Sequence, residues 1–354
     1  MYRKTYMEVY LDNIRDNVKM IINTYPNYKY YFGVIKADCY GHGIEAVKAI
    51  IDGGCNYLAV AILEEALKIR QMNINTPILC LGNIKPNDLD ICIKNNITIT
   101  INSLEYAKEL LKYKLDNLKV HIKVNTGMNR LGINNISELN DILNILARKN
   151  INIEGIYTHI YEANNKENTI KQFSLFKNII IHTKYNFKIV HAQASDAITN
   201  YEKPDFVNGC RLGIIMYGFN SKINLKSTFK LISEIIQINK IDYNQTVGYN
   251  GIYKVKKGDI IGVVAIGYDD GIIRKNTGRN VYINNKYYPI VGNICMDMLF
   301  VKIDENVKLY DKVEIIKDIN HIEEISNHLE TIPYEIMCLI GKRIPRIYKK
   351  TDKN

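Results

Sequence analysis

The sequence predicts an α/β protein: a (β/α)8 TIM-type barrel followed by a mostly β C-terminal domain. Between Tyr30 and about Gly218, eight short apolar runs alternate with longer amphipathic ones, the pattern of strands separated by crossover helices. Near Leu231 the texture changes to short β-branched runs divided by Gly, Asn and Asp, which read as a second, mostly β domain. At 354 residues the chain also exceeds what a single core fills comfortably. These observations place the barrel at residues 1–230 and the β domain at 231–354.

The first strand is the apolar run Tyr30–Ile35, which ends on Lys36. The next seven are expected at Tyr57–Ala61, Ile78–Leu81, Ile97–Ile101, Val120–Val124, Ile153–His159, Lys188–Gln193 and Arg211–Tyr217. Helical periodicity fills the gaps, for example at Leu63–Gln71, Leu104–Leu111, Ser137–Leu146 and Lys166–Thr183. A Gly41-His42-Gly43 turn should open a further helix from Ile44. In the second domain strands are expected at Ser233–Asn239, Gly251–Val255, Asp259–Ile266, Arg279–Ile283, Tyr287–Ile290, Met298–Ile303 and Lys312–Ile315. Ile322–Leu329 carries a helical pattern. With no repeats, low-complexity tracts or long linkers, the two domains are expected to pack closely.

Composition narrows the function. A chain 47% hydrophobic and 24% charged is that of a soluble globular protein. No run approaches a membrane span, and the N-terminal residues lack a signal-peptide core. Seven scattered cysteines without a CxxC pair suit reduced thiols in the cytoplasm and no metal site. The net charge of +10 is spread along the chain without a nucleic-acid recognition module, so an anionic cofactor or substrate is its simpler meaning.

Lys36 carries the chemical argument. A lysine at the end of a buried strand either snorkels to the barrel rim or presents an amine to something that needs one. A desolvated lysine can lose its proton and form a Schiff base with an aldehyde. Gly41-x-Gly43-x-x-Ala46 imitates a dinucleotide fingerprint, with Glu64 at a ribose-contact distance. However, four residues separate the strand from its first glycine, where that turn should follow directly. In a barrel, reactive groups gather at the C-terminal strand ends. Lys36 and Tyr40, the segment Asn125–Gly132 with Arg130, His159, Ser195, and Arg211 with Gly213 and Ile214 all fall there. A Schiff-base lysine facing a phosphate site after the last two strands points to pyridoxal phosphate.

In order, the segments VIKADCYGHG, NTGMNRLG, THI, ASDA, RLGIIMYG, VGYNGIY, AIGYDDG, VGNICMDM and YEIMCLIGKRIPRIY resemble the signature blocks of the alanine racemase family from Lys36 to Tyr348. The resemblance implies that Lys36 holds pyridoxal phosphate and acts as one catalytic base. It implies phosphate contacts from Tyr40, Ser195 and the Gly213 and Ile214 backbone, with Lys342 at a further phosphate position. Arg211 would face the pyridine nitrogen with His159 behind it, and Arg130 would approach the phenolic oxygen. Tyr249 would be the second base, supplied with Met296 and the entrance residue Tyr268 by the partner of a homodimer. Lys123 matches a position that the family carbamylates to orient its arginine. Two bases on opposite faces of Cα are what racemisation requires. A guanidinium that only donates leaves the pyridine ring a weaker electron sink than a carboxylate partner would.

Asn125, Ala194, Gly248 and Lys342 stand where the family commonly has Asp, Asn, Ser and Tyr. Lys342 bears on the substrate, because it replaces a flat ring with a flexible cation. The expected activity is therefore racemisation of a small amino acid, alanine first and serine second, supplying D-alanine for the cell wall. Three other readings stand beside it: a non-catalytic pyridoxal-phosphate carrier, an amino-acid decarboxylase and a dinucleotide oxidoreductase. The β domain with its GYNGIY block opposes the first, and Arg211 in place of an acidic partner opposes the second.

Overall fold

Eight parallel strands close into a barrel, in the order of the chain, in this computed structural model. The structure describes residues 2–183 and 185–349. After a short first strand, β1 (Tyr6–Tyr10), the barrel strands are β2 (Tyr30–Val34), β3 (Tyr57–Val60), β4 (Ile78–Cys80), β5 (Ile97–Ile101), β6 (Lys119–Lys123), β7 (Asn152–Tyr157), β8 (Ile189–Ala194) and β9 (Gly209–Leu212). β2 pairs with β9 as well as β3, which shuts the ring. The strands are buried nearly throughout, as a parallel sheet covered by helices requires. Ser103, Asn135 and Asn165 each accept a hydrogen bond from the backbone two or three residues into the following helix, marking its start by an ordinary side-chain cap.

The eight predicted barrel strands are all present, and the last is shorter and earlier than expected. Arg211–Tyr217 divides into the end of β9 and a 3-10 turn at Ile214–Tyr217. All four residues of that turn are buried, and a short, fully buried apolar run has the same sequence appearance in either conformation.

The remaining strands are β10 (Phe229–Lys240), β11 (Gln245–Val247), β12 (Tyr253–Val255), β13 (Ile260–Val264), β14 (Asn280–Ile283), β15 (Lys286–Val291), β16 (Leu299–Ile303), β17 (Lys312–Ile316) and β18 (Arg346–Lys349). The sheet runs β13-β16-β15-β14-β17-β10-β1-β18, and β10 also pairs with β13. The long β10 achieves this by giving its first half to β17 and its second half to β13, with a register shift between Ile235 and Gln237. β11 and β12 form a separate hairpin.

By compactness the chain falls into two units. One unit holds Ile14–Cys39 and Ile44–Leu225; the other holds residues up to Asn13, Tyr40–Gly43 and the chain from Lys226 onward. β1 pairs antiparallel with β10 and parallel with β18, so its place is in the second sheet. Neither β1 nor β18 was expected. Both are short and carry charged residues, and only pairing with distant partners makes them strands. Among the described residues no helix is long and apolar enough to cross a membrane.

Candidate active site

Lys36 lies two residues beyond β2, half-buried, at the head of a turn of left-handed helix. Ala37, Asp38 and Cys39 have φ/ψ near +50°/+50°, and Tyr40 has φ +55°. For L-residues this hand costs roughly 1–2 kcal/mol each, so neighbouring groups must impose it. The Cys39 N–H donates to Ile35 O at 3.1 Å. Glu65 supplies a second clamp. Its Oε1 accepts from the Ala37 N–H at 2.6 Å, and its Oε2 accepts from Ala61 and Ile62 N–H at 2.8 and 3.3 Å. One carboxylate thereby ties the residue after Lys36 to the loop after β3. Glu65→Ala should lower stability by about 2–3 kcal/mol, since charge-assisted bonds of this kind are each worth about that before relaxation. Urea denaturation of the variant checks it, with Glu65→Gln expected to recover part of the loss. Sequence reading missed both the turn and Glu65, because four consecutive left-handed non-glycine residues carry no compositional mark.

Arg211 enters the barrel from β9 and is almost fully buried. Its Nη1 donates to His191 Nδ1 at 2.8 Å; its Nη2 donates to Thr158 O at 2.8 Å, Ala192 O at 2.9 Å and His159 Nδ1 at 3.2 Å. Burial lowers its pKa to about 10, which leaves it charged near neutrality. Among the described residues its Nε makes no hydrogen bond. His159 was expected behind Arg211 and is bonded to it; His191, the nearer imidazole, was not expected. Burial, then the charges of Arg211, Lys123, Arg130 and Lys36, push His159 down to about 2. The imidazole is thus neutral, and of these basic residues it is Arg211 that bonds to its ring. Lys123 ends β6 buried, with its Nζ 4.9 Å from the Tyr157 ring centre. Burial, and then Arg211 and Arg130, hold it well below the ordinary lysine range.

Ser195 follows β8, and its Oγ accepts from the Gly213 N–H at 3.2 Å and the Ile215 N–H at 3.4 Å. Among the described residues the hydroxyl proton of Ser195 has no acceptor, so this group can donate to an anion.

Tyr40, Tyr249, Tyr268, Met296 and Lys342 belong to the second unit. One loop, Asn293–Met298, gathers three of them. Asn293 Nδ2 donates to Tyr249 O at 2.8 Å, Tyr268 N–H donates to Cys295 O at 3.0 Å, and Asp269 N–H donates to Met296 O at 3.1 Å. Tyr249 itself opens a 3-10 turn after Gly248, whose φ of +73° explains why this chain carries glycine there. Arg343 then braces the Tyr268 turn against this loop by bonds to Asp269, Asp270 and Asp297 at 2.7 to 2.8 Å. Arg346 connects the other two residues, donating to Gly41 O at 3.0 Å beside Tyr40 and to Gly341 O at 2.7 Å beside Lys342. Neither arginine was singled out by sequence. Lys342 is exposed and has no hydrogen-bond or ion-pair partner among the described residues.

The barrel's donors suit an anionic ring compound. Basic side chains at the strand ends, an uncommitted guanidinium N–H and a serine hydroxyl proton free to donate match a phosphate and a ring nitrogen. No cluster of His, Cys, Asp and Glu among the described residues could hold a metal. Residues 9–221 match the alanine racemase N-terminal domain and residues 228–348 match its C-terminal domain. The alanine racemase of Streptococcus mutans is 34% identical, over 99% of this chain and 98% of that protein. The crystal structure of alanine racemase from Bacillus anthracis superposes with a TM-score of 0.94 at 32% identity, covering 100% of this chain and 97% of that one. The alanine racemase structure from Clostridium difficile gives 0.93 at 33% identity, with the same coverage. With both halves matched in order and its full length aligned to such relatives, the chain belongs to the alanine racemase family.

Proposed function

We propose that this chain interconverts L- and D-alanine with pyridoxal phosphate, using Lys36 and the Tyr249 of a second copy as its two acid/base groups. The observation that carries the reading is Arg211, held by donation to His191, Thr158, Ala192 and His159 with its Nε uncommitted, in a barrel whose strand ends also carry Lys36 and Ser195. When bound, pyridoxal phosphate makes the Cα–H of an attached amino acid acidic. Lys36 would hold the cofactor, with Ser195, the Gly213 and Ile214 backbone, Tyr40 and Lys342 assigned to its phosphate. Arg211 would give its remaining N–H to the ring nitrogen. Because both terminal nitrogens already donate to protein acceptors and a guanidinium has no acceptor, Arg211 can neither take a proton from the ring nor turn away. Arg130 is proposed at the phenolic oxygen, and Tyr268 and Met296 at the substrate entrance.

Racemisation needs a proton removed on one face of Cα and returned on the other. Lys36 is the base for one face and Tyr249 for the other. Tyr249 is 69% exposed in the single chain, with Ile252 at 57% and Met296 at 53%. An exposed apolar group of this kind supports a homodimer in which each copy lends its tyrosine to the other. Lys123 is proposed to carry a carbamate. Its depressed basicity leaves an amine able to take up carbon dioxide, and the product's negative charge would offset Arg211 and Arg130. Seven reduced cysteines support a cytoplasmic setting, where D-alanine would serve wall synthesis.

The substrate test is incubation of the holoenzyme with L-alanine and, separately, L-serine, followed by chiral chromatography. Faster formation of D-alanine is expected. Faster formation of D-serine would make Lys342 the specificity residue, and formation of neither enantiomer would overturn the activity.

A further inference from the structure

A column of side chains runs from Arg211 through the barrel interior to Glu154. Arg211 Nη1 lies 2.8 Å from His191 Nδ1, His191 Nε2 lies 3.0 Å from His121 Nδ1, and His121 Nε2 lies 3.6 Å from Glu154 Oε2. Both imidazoles are fully buried. Lys188 Nζ sits on Glu154 Oε1 at 2.8 Å, and Tyr57 OH donates to Oε2 at 2.8 Å. Arg211, His191, His121 and Glu154 rise from β9, β8, β6 and β7 in turn.

The direction of every bond follows from one end. Arginine only donates, so His191 Nδ1 must accept and its proton must lie on Nε2. That proton goes to His121 Nδ1, which forces the His121 proton onto Nε2, facing Glu154. The last gap is longer than a hydrogen bond, and among the described residues no other partner serves His121 Nε2. A lone pair there would face a carboxylate, so the N–H form is the one the field selects. The far end agrees independently, because a carboxylate bound by Lys188 and Tyr57 can only accept.

The rings are held in place, so each nitrogen keeps the same neighbour. His191 is stacked between Phe32 at 4.5 Å and Tyr157 at 4.6 Å, with interplanar angles of 14° and 13°. His121 occupies space left by Gly155, where a Cβ would come within 2.7 Å of its Cε1. Burial, then the charge of Arg211, keeps His191 well below the ordinary histidine range, and burial lowers His121 also. For Glu154 burial acts upward, but His121, Lys188 and Tyr57 hold the carboxyl at about 2.

We infer that Glu154, through His121 and His191 as two neutral Nε2–H imidazoles, is the positioning anchor of Arg211, fixing where its guanidinium is presented. The consequence for catalysis rests on the reading that Arg211 faces the cofactor ring. Neither histidine nor Glu154 would touch the cofactor; they act by keeping an acceptor, never a donor, against Nη1. Glu154→Gln tests this. Lys188 would retain the amide oxygen, turning the amide NH2 toward His121, and the column would have to invert until His191 Nδ1–H met the Arg211 N–H groups.

The first measurement needs no variant: 15N NMR of histidine-labelled enzyme with and without pyridoxal phosphate. Both His121 and His191 should be neutral Nε2–H tautomers at pH 7. A cationic ring or an Nδ1–H tautomer at either position would overturn the inference. In Glu154→Gln holoenzyme, His121 should change tautomer, the 15N resonance of the bound pyridine nitrogen should move, and kcat for alanine should fall about tenfold at nearly unchanged KM. Tautomers as expected with an unmoved pyridine resonance would overturn the positioning role if Arg211→Lys does move that resonance. If Arg211→Lys also leaves it unmoved, what fails is the placement of Arg211 against the ring. The wild-type tautomers then still decide whether Glu154 anchors Arg211.

Discussion

Lys36→Ala should abolish racemisation, lowering the rate by about 10⁴-fold or more, and should release pyridoxal phosphate on dialysis. Two roles are lost together: the covalent hold on the cofactor and one of the two groups that move the Cα proton. The residue is also not replaceable by position. It heads a left-handed turn fastened by Glu65 and by the Cys39 N–H, so a lysine one residue away would emerge in another direction. Borohydride reduction followed by peptide mass spectrometry should find the cofactor on Lys36 in the wild type and on no residue in the variant. A variant that races through alanine at the wild-type rate would remove Lys36 from the mechanism.

Tyr249→Phe should lower racemisation by about 10²–10⁴-fold, the range for losing one general acid/base, while the cofactor stays bound. Its backbone is fixed by Asn293 and by the turn after Gly248, and the ring is exposed, so loss of one hydroxyl leaves the fold intact. The visible cofactor spectrum should be retained at full occupancy. Equal rates in variant and wild type, from either enantiomer, would mean that another group serves the second face.

The sequence was most informative where chemistry and periodicity coincide. Alternating buried runs predict the barrel because a strand covered on both faces has almost no alternative composition, and β2 to β9 appear where such runs fall. The ends of those strands place Lys36, Arg130, His159, Ser195 and Arg211 at the barrel mouth. What stayed hidden depends on three dimensions. Glu65 looks like any acidic residue in the first turn of a helix, yet it reaches back 28 positions to Ala37. His121 and His191 are single histidines in apolar strands, and only the barrel's closure sets them 3.0 Å apart. Arg346 lies in a recognised block, but its link to Gly41 spans 305 residues. β1 was missed for the same reason: five residues of mixed character become a strand by lying between β10 and β18.

The most direct measurement is the fate of the Cα hydrogen when wild-type holoenzyme converts L-alanine in heavy water, read by NMR at low conversion. With separate bases on the two faces, the proton taken from one side is not the one returned on the other. Newly formed D-alanine should therefore carry deuterium at Cα, while the remaining L-alanine keeps its original hydrogen. D-alanine that retains the original hydrogen would mean that a single group shuttles it across, and the assignment of Lys36 and Tyr249 to opposite faces would be wrong.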